Sequence, residues 1–192
     1  KLLPGHYLEM KQSDLKNKLL PTANKYWSLI DKAIYGNNNQ LILNDFNIQR
    51  DLEGILKNSV KKQMLSDVPL GAFLSGGIDS STIVALMQSQ SSTPIKTFTI
   101  GFSESDYSEA ENAKKIANHL GTNHTELYLS SKIALDVIPK LPEIYDEPFS
   151  DSSQIPTYLL SQLTKQHVKV AISGDGGDEL FCGYNRYIIS KK

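Results

Sequence analysis

Two short apolar runs in this chain end in the same dipeptide, and that doubling constrains the architecture more than any other feature. Leu70-Gly71-Ala72-Phe73-Leu74 stops at Ser75-Gly76-Gly77, and Ile78-Asp79-Ser80-Ser81 follows. Val168-Lys169-Val170-Ala171-Ile172 stops at Ser173-Gly174, and Asp175-Gly176-Gly177-Asp178-Glu179 follows. A buried strand that runs into a Gly-rich turn and then a helix aims backbone N–H groups and the positive helix end at one point. That arrangement suits a phosphate. The first loop lacks the Gly-Lys-Ser/Thr ending of a Walker A cradle. The second gathers Asp175, Asp178 and Glu179 within five residues, and such acids repel one another unless a cation sits among them. One loop therefore carries phosphate-binding chemistry and the other Mg²⁺-binding chemistry. With Mg²⁺ bridging, the acids can hold a triphosphate that they would otherwise repel.

The stretch between the loops alternates strand and helix patterns. Leu52, Ile55, Leu56, Val60 and Met64 repeat at helical spacing from about residue 47 to 65. Strands are expected at 70–74, 95–101, 124–129 and 168–172. A helix is expected at 80–88. Another has Ser108 as N-cap with Glu111 completing a capping box, Ala110, Ala113, Ile116, Ala117 and Leu120 as its stripe, and Gly121 as its stop. Pro139 divides the segment 131–145 into two short helical pieces, the second beginning at Pro139. Ile155-Pro156 opens a last helix, to about Gln166. Strands separated by helices predict an α/β fold, a parallel sheet of about four to five strands with helices on both faces. Ligands in such sheets sit beyond the carboxyl ends of the strands, where strand order reverses. Both Ser-Gly loops lie at carboxyl ends.

The motif Ser-Gly-Gly-x-Asp-Ser at residues 75–80 resembles the PP-loop of the ATP pyrophosphatases, which split ATP between its α and β phosphates. Taken with Ser173–Glu179, it looks like the synthetase domain of the glutamine-hydrolysing asparagine synthetase family. Pro69-Leu70-Gly71, Phe98-Thr99-Ile100-Gly101-Phe102, Asn118-His119-Leu120-Gly121-Thr122, Tyr145-Asp146-Glu147-Pro148 and Gly183-Tyr184 fall in that family's order, over roughly residues 50–190. The resemblance implies ATP-dependent amidation of a carboxylate through an acyl-adenylate, with AMP and pyrophosphate released. It assigns Ser75, Gly76, Gly77, Asp79, Ser80 and Ser81 to the pyrophosphate cradle. Leu74 and Ile100 flank the adenine, Ser173 and Gly174 contact the nucleotide, and Asp79 and Asp178 hold Mg²⁺. Asp175 stands where asparagine synthetases typically carry a Glu proposed to assist adenylate formation and ammonia attack. It is one methylene shorter, roughly a 1 Å change in reach.

A second departure bears on the acceptor. Asparagine synthetases carry an Arg just before the Pro-led helix, where this chain reads Phe149-Ser150-Asp151-Ser152-Ser153-Gln154. Free aspartate brings two carboxylates, recognition of one usually needs a fixed cation, and Asp151 has the wrong sign. Aspartate is the family's acceptor. A sugar acid used in surface polysaccharide synthesis is the alternative. The family also implies a glutaminase domain with a Cys nucleophile ahead of Lys1 and a catalytic Lys beyond Lys192. Residues 1–45 are accordingly expected to be a linker and docking segment, with Trp27 docking it, and 46–192 a synthetase domain truncated at its C-terminus. Alone, such a piece is expected to be inactive.

Bulk properties narrow the classes further. The 192 residues carry a net charge of −1 and 40% hydrophobic residues, which suits a globular domain and gives no electrostatic case for nucleic acid or an anionic membrane. No apolar run approaches the ~20 residues of a membrane span. Cys182 is the only cysteine, so no intrachain disulfide can form and a cytoplasmic setting is expected. It stands where the family usually has a second Gly, and is expected to be a small packing residue. His119 and His124 are expected to act as caps or surface groups. Two other readings stay open: a tRNA-thiolating or NAD-forming PP-loop enzyme, and a nucleotide-binding module without catalysis. A homodimer is a possible assembly.

Overall fold

The computed structural model describes residues 2–42, 44–102, 109–145, 147–148 and 150–189. The chain divides into two compact units, Lys1–Gln49 and Arg50–Lys192. In the first, β1 (His6–Tyr7) pairs antiparallel with β2 (Asn24–Lys25), α1 spans Gln12–Lys16 and α2 spans Leu29–Asn38. Ser28 caps α2, its Oγ accepting from Asp31 N at 3.2 Å. Helix α3, Asp45–Gln63, contains the division between the units.

In the second unit the chain runs β3 (Leu70–Phe73), α4 (Ile78–Gln88), β4 (Lys96–Phe102), α5 (Glu109–Leu120) and β5 (Asn123–Leu129). Three short pieces follow: α6 (Ser131–Leu135), a 3₁₀ turn at Ile138–Lys140 and α7 (Leu141–Ile144). Then come α8 (Gln154–Thr164), β6 (Val170–Ile172), α9 (Gly177–Phe181) and α10 (Asn185–Ile189). The four strands lie in the order β5-β4-β3-β6, all parallel. Every crossover carries a helix, as parallel pairing requires. The chain moves from β3 outward through β4 to β5, then returns to place β6 on the other side of β3, with Ala72 opposite Ile172. Strand order therefore reverses at β3, between the two loops that end in Ser-Gly.

Side-chain alternation along the strands sorts the core onto both faces. Ala72 and Leu74 pack with Val60 of α3, Val84 and Met87 of α4 and Ala113 and Ala117 of α5. On the opposite face Leu129, Val137 and Leu159 pack with Ile100, Phe102 and Leu127. Fully burying a side chain such as Leu74, Val84, Met87 or Leu129 contributes roughly 1.5–3 kcal/mol relative to exposure. The expected α/β sheet, covered on both faces, is what forms.

Three expectations need correcting and a fourth falls aside. Segment 131–145 breaks into three pieces, because both Pro139 and Pro142 restart the backbone near the first turn of a short helix. His124 is no surface group: it is half-buried, and its Nδ1 lies 2.9 Å from the buried Thr97 Oγ1, itself 2.9 Å from Thr122 Oγ1. Burial pushes its pKa below the ordinary histidine value. Cys182 is exposed rather than packed, and ends α9 in the left-handed conformation with φ +58°. The Ser108 cap lies outside the described residues, while Gly121 ends α5 with φ +70° as expected.

Candidate active site

Helix α4 starts at Gly77, which has no side chain to cap it, so its first-turn amides face outward without a capping competitor. The serines before and within that turn fold it onto itself. Gly77 N donates to Ser75 Oγ at 3.3 Å, and Ser75 Oγ lies 2.9 Å from Ser80 Oγ. Ser80 Oγ donates to Gly77 O at 3.3 Å and accepts from Ser75 N at 3.2 Å. These contacts close a ring around the turn. Ser81 Oγ likewise donates to Gly77 O, at 2.6 Å. The hydroxyls of Ser75, Ser80 and Ser81 thus hold the loop's shape, and backbone N–H groups are what the loop can offer an anion.

The second loop presses directly on the first. A Cβ placed on Gly174 would stand 2.7 Å from Ser80 N and 2.9 Å from Asp79 C, so only glycine allows this approach. A Cβ on Gly177 would lie 2.9 Å from Asp79 Cβ and would run into the Asp79 carboxylate itself. The Asp79 carboxylate therefore lies against the start of α9, one residue from Asp178. Ser173 Oγ donates to Asp175 Oδ2 at 3.0 Å, orienting that carboxylate locally. Tyr184 Oη donates to Glu179 Oε1 at 2.7 Å. That bond holds the Glu179 carboxyl below its ordinary range and pushes the Tyr184 hydroxyl up to about 12.

A cleft of about 670 Å³ opens at this junction. Leu74, Ser75, Asp79, Ser80, Ile100, Ser173, Gly174, Asp175 and Asp178 all line it. Gly76, Gly77 and Ser81 do not, although all three shape the loop behind it. Among the described lining residues there are six carboxylates (Asp79, Glu109, Asp151, Asp175, Asp178 and Glu179) and no Lys, Arg or His. Glu109, Gln154 and Thr157 were not anticipated from the sequence. Their one available signal is position: Glu109 begins the helix after β4, and Gln154 and Thr157 begin the helix before β6.

The donor set fits Mg²⁺ held together with phosphates. Mg²⁺ is ordinarily bound through one or two carboxylates plus substrate phosphates and waters. Among the described residues no group of three or more His, Cys, Asp or Glu could hold a metal by itself. Two hard carboxylates, Asp79 and Asp178, come from adjoining loops beside uncapped helix amides. That combination needs the phosphate to complete it.

Residues 51–191 match the family model described as Asparagine synthase. The chain is similar to a putative glutamine-hydrolysing asparagine synthetase 2 of Methanocaldococcus jannaschii, with 41% identity over 165 residues, covering 85% of this chain and 30% of that protein. It is also 41% identical over 138 residues to the glutamine-hydrolysing asparagine synthetase 1 of Bacillus subtilis, covering 72% of this chain and 22% of that one. This chain thus spans less than a third of the length of these relatives. An NMN synthetase structure from Francisella tularensis superimposes with a TM-score of 0.47 and 15% identity, covering 74% of this chain and 59% of that chain.

Proposed function

The chain belongs to the asparagine synthase family, and on that premise we propose that it is the ATP-using, amide-forming part of a longer glutamine-dependent ligase. The observation that carries the reading is the contact of Gly174 and Gly177 with Ser80 and Asp79, which joins the phosphate loop and the acidic loop into one cleft.

In this reading the first-turn amides of α4 bind the β and γ phosphates, and Leu74 and Ile100 flank the adenine. Asp79 and Asp178 would hold Mg²⁺, which would supply positive charge to the pyrophosphate side of the site. An acceptor carboxylate oxygen attacks the α-phosphorus, the bond to the β-phosphate oxygen breaks, and an acyl-adenylate forms. Ammonia released from glutamine elsewhere in the protein then attacks the acyl carbon. AMP leaves and one proton is lost to give the amide. Asp175, oriented by Ser173, is within the cleft to take that proton or to order the ammonia. Most of the rate gain comes from fixed charges and donors acting on the pyrophosphate. Among the described residues no helix is long and apolar enough to cross a membrane, and a cytoplasmic setting belongs to the proposal.

Aspartate is the acceptor the family favours. A different carboxylate, such as a sugar acid, is the second reading, and Asp151 is the observation behind it. Its carboxylate accepts from Ser153 N at 2.8 Å, which holds its pKa below the ordinary carboxylate value, and it lines a cleft whose described lining offers no cation for a second acceptor carboxylate. The test is exchange of ³²P between pyrophosphate and ATP in the intact protein, with aspartate or uronic acids added singly. Stimulation by aspartate is the expected result. Silence with aspartate and stimulation by a uronic acid would select the second reading. No stimulation by any carboxylate would refute adenylation.

A further inference from the structure

Helix α9 carries Asp178 on only five residues, too short to fix a side chain by its own backbone bonds. It is held from both ends. Gly176 enters it with φ +93° and Cys182 leaves it with φ +58°, so the chain turns sharply at each end. After the second turn Gly183 N donates to Asp178 O at 3.0 Å. A Cβ on Gly183 would stand 2.8 Å from Asp178 Cγ and would collide with Asp178 Oδ1. The Asp178 carboxylate therefore rests against Gly183. Next along the chain, Tyr184 Oη reaches back to Glu179, the neighbour of Asp178, at 2.7 Å. The Tyr184 ring is itself clamped: the Arg186 guanidinium lies 4.1 Å from its centroid, and the Tyr187 ring sits tilted at 52° with its centroid 5.7 Å away.

We propose that Tyr184 is a positioning residue, its bond to Glu179 closing the 182–184 turn onto α9 so that the Asp178 carboxylate, resting on Gly183, is held in the cleft in the orientation that binds Mg²⁺ with the nucleotide. The inference rests on the metal assignment in the functional reading. It concerns a residue that is not itself a ligand. Tyr184, Glu179 and Asp178 all line the cleft, and a loose α9 would let the acid swing away from the phosphates. Groups hydrogen-bonded directly to a metal ligand typically change metal affinity 10–100-fold, and Tyr184 acts one residue further off, through Glu179, so the lower end of that range applies.

The test uses the intact protein and Mn²⁺ as an EPR-visible substitute for Mg²⁺, titrated with a non-hydrolysable ATP analogue present. Tyr184→Phe keeps the ring and its Arg186 contact but removes the hydroxyl. It is expected to weaken Mn²⁺ binding about tenfold, while metal-free analogue binding and the melting temperature stay at wild-type values. Glu179→Leu breaks the same bond from the other side and is expected to match it. Glu179→Gln keeps an acceptor for the hydroxyl and is expected to recover most of the loss. Wild-type Mn²⁺ affinity in both Tyr184→Phe and Glu179→Leu would overturn the proposal. So would equal weakening with and without metal, which marks a structural effect. If the wild-type protein binds no Mn²⁺ with the analogue, the metal assignment fails first and this inference falls with it.

Discussion

The two Ser-Gly loops begin alike in sequence and do opposite things with their polar groups. After β3, Ser75 and Ser80 turn their hydroxyls inward to Gly77 and to one another, and Ser80 is only 8% exposed. After β6, Ser173 points along its own loop to Asp175, and Asp175, Asp178 and Glu179 face the cleft. The first loop is a rigid frame whose free groups are amides. The second is a softer presenter of carboxylates, held against the first by glycine contacts and at its far end by the bond from Tyr184 to Glu179. The difference shows how one strand-end pattern can serve either sign of charge. Serine hydroxyls satisfy one another where the helix amides must stay available, and acids are tolerated where a cation is to come.

The sharpest way to break this comparison is to neutralise one acid on each loop. Asp79→Asn and Asp178→Asn keep size and shape, so the fold is expected to survive with an unchanged circular-dichroism spectrum. Pyrophosphate release by the intact enzyme is expected to fall by more than about 10³-fold in either. Near-wild-type release in either variant would remove that residue from the metal site.

Next in size is the seam itself. Gly174→Ala sets a methyl 2.7–3.0 Å from the backbone of Asp79 and Ser80, atoms that cannot swing aside as a side chain tip would. The expected cost is about 1–3 kcal/mol of stability, with a rise in the ATP dissociation constant because the loops are levered apart. Urea unfolding and nucleotide titration of the same variant separate the two effects. Unchanged values in both would mean that the loops do not meet as closely as described.

Ser80→Ala against Ser173→Ala tests the asymmetry directly. Removing the buried Ser80 hydroxyl strands Ser75 N and opens the ring of bonds, at a cost of about 1–2 kcal/mol. Removing the Ser173 hydroxyl frees only a cleft-facing Asp175 carboxylate, and stability is expected to stay within about 0.5 kcal/mol. Equal costs would erase the distinction between frame and presenter.

What the sequence made legible follows the range of the forces involved. Helix α5 and strands β4 and β5 announce themselves because their periodicity is local, set by a stripe such as Ala110, Ala113 and Ala117 that must face one core. The two loops are legible because the same Ser-Gly ending follows two apolar strands, with Gly-x-Asp-Ser after one and three acids after the other. The inward turn of the serines was not, since Ser75 and Ser80 would read the same whether they bound phosphate or one another. The partnership of His124 with Thr97 depends on register between β4 and β5, which no single segment specifies. Glu109 and Gln154 reach the cleft only because α5 and α8 begin at the same end of the sheet.

Cys182 is the finest probe of the same contrast, because it sits in the turn that closes onto the acidic loop, in a backbone conformation that its own side chain disfavours. Its φ of +58° and ψ of +40° place a side chain in the left-handed region that disfavours a Cβ. The thiol is exposed and buries nothing in return. Cys182→Gly relieves that strain but also loosens the unfolded chain, and the two effects oppose each other. Relief is expected to win, with a net gain of about 0.5–1 kcal/mol read as a higher urea midpoint at unchanged slope. Activity of the intact enzyme is expected to stay at the wild-type level, because the turn and the bond from Gly183 N to Asp178 O are kept. A loss of stability on this change would mean that residue 182 makes a contact that outweighs its backbone cost, and that the acidic loop is tied down more firmly than the soft end of the comparison requires.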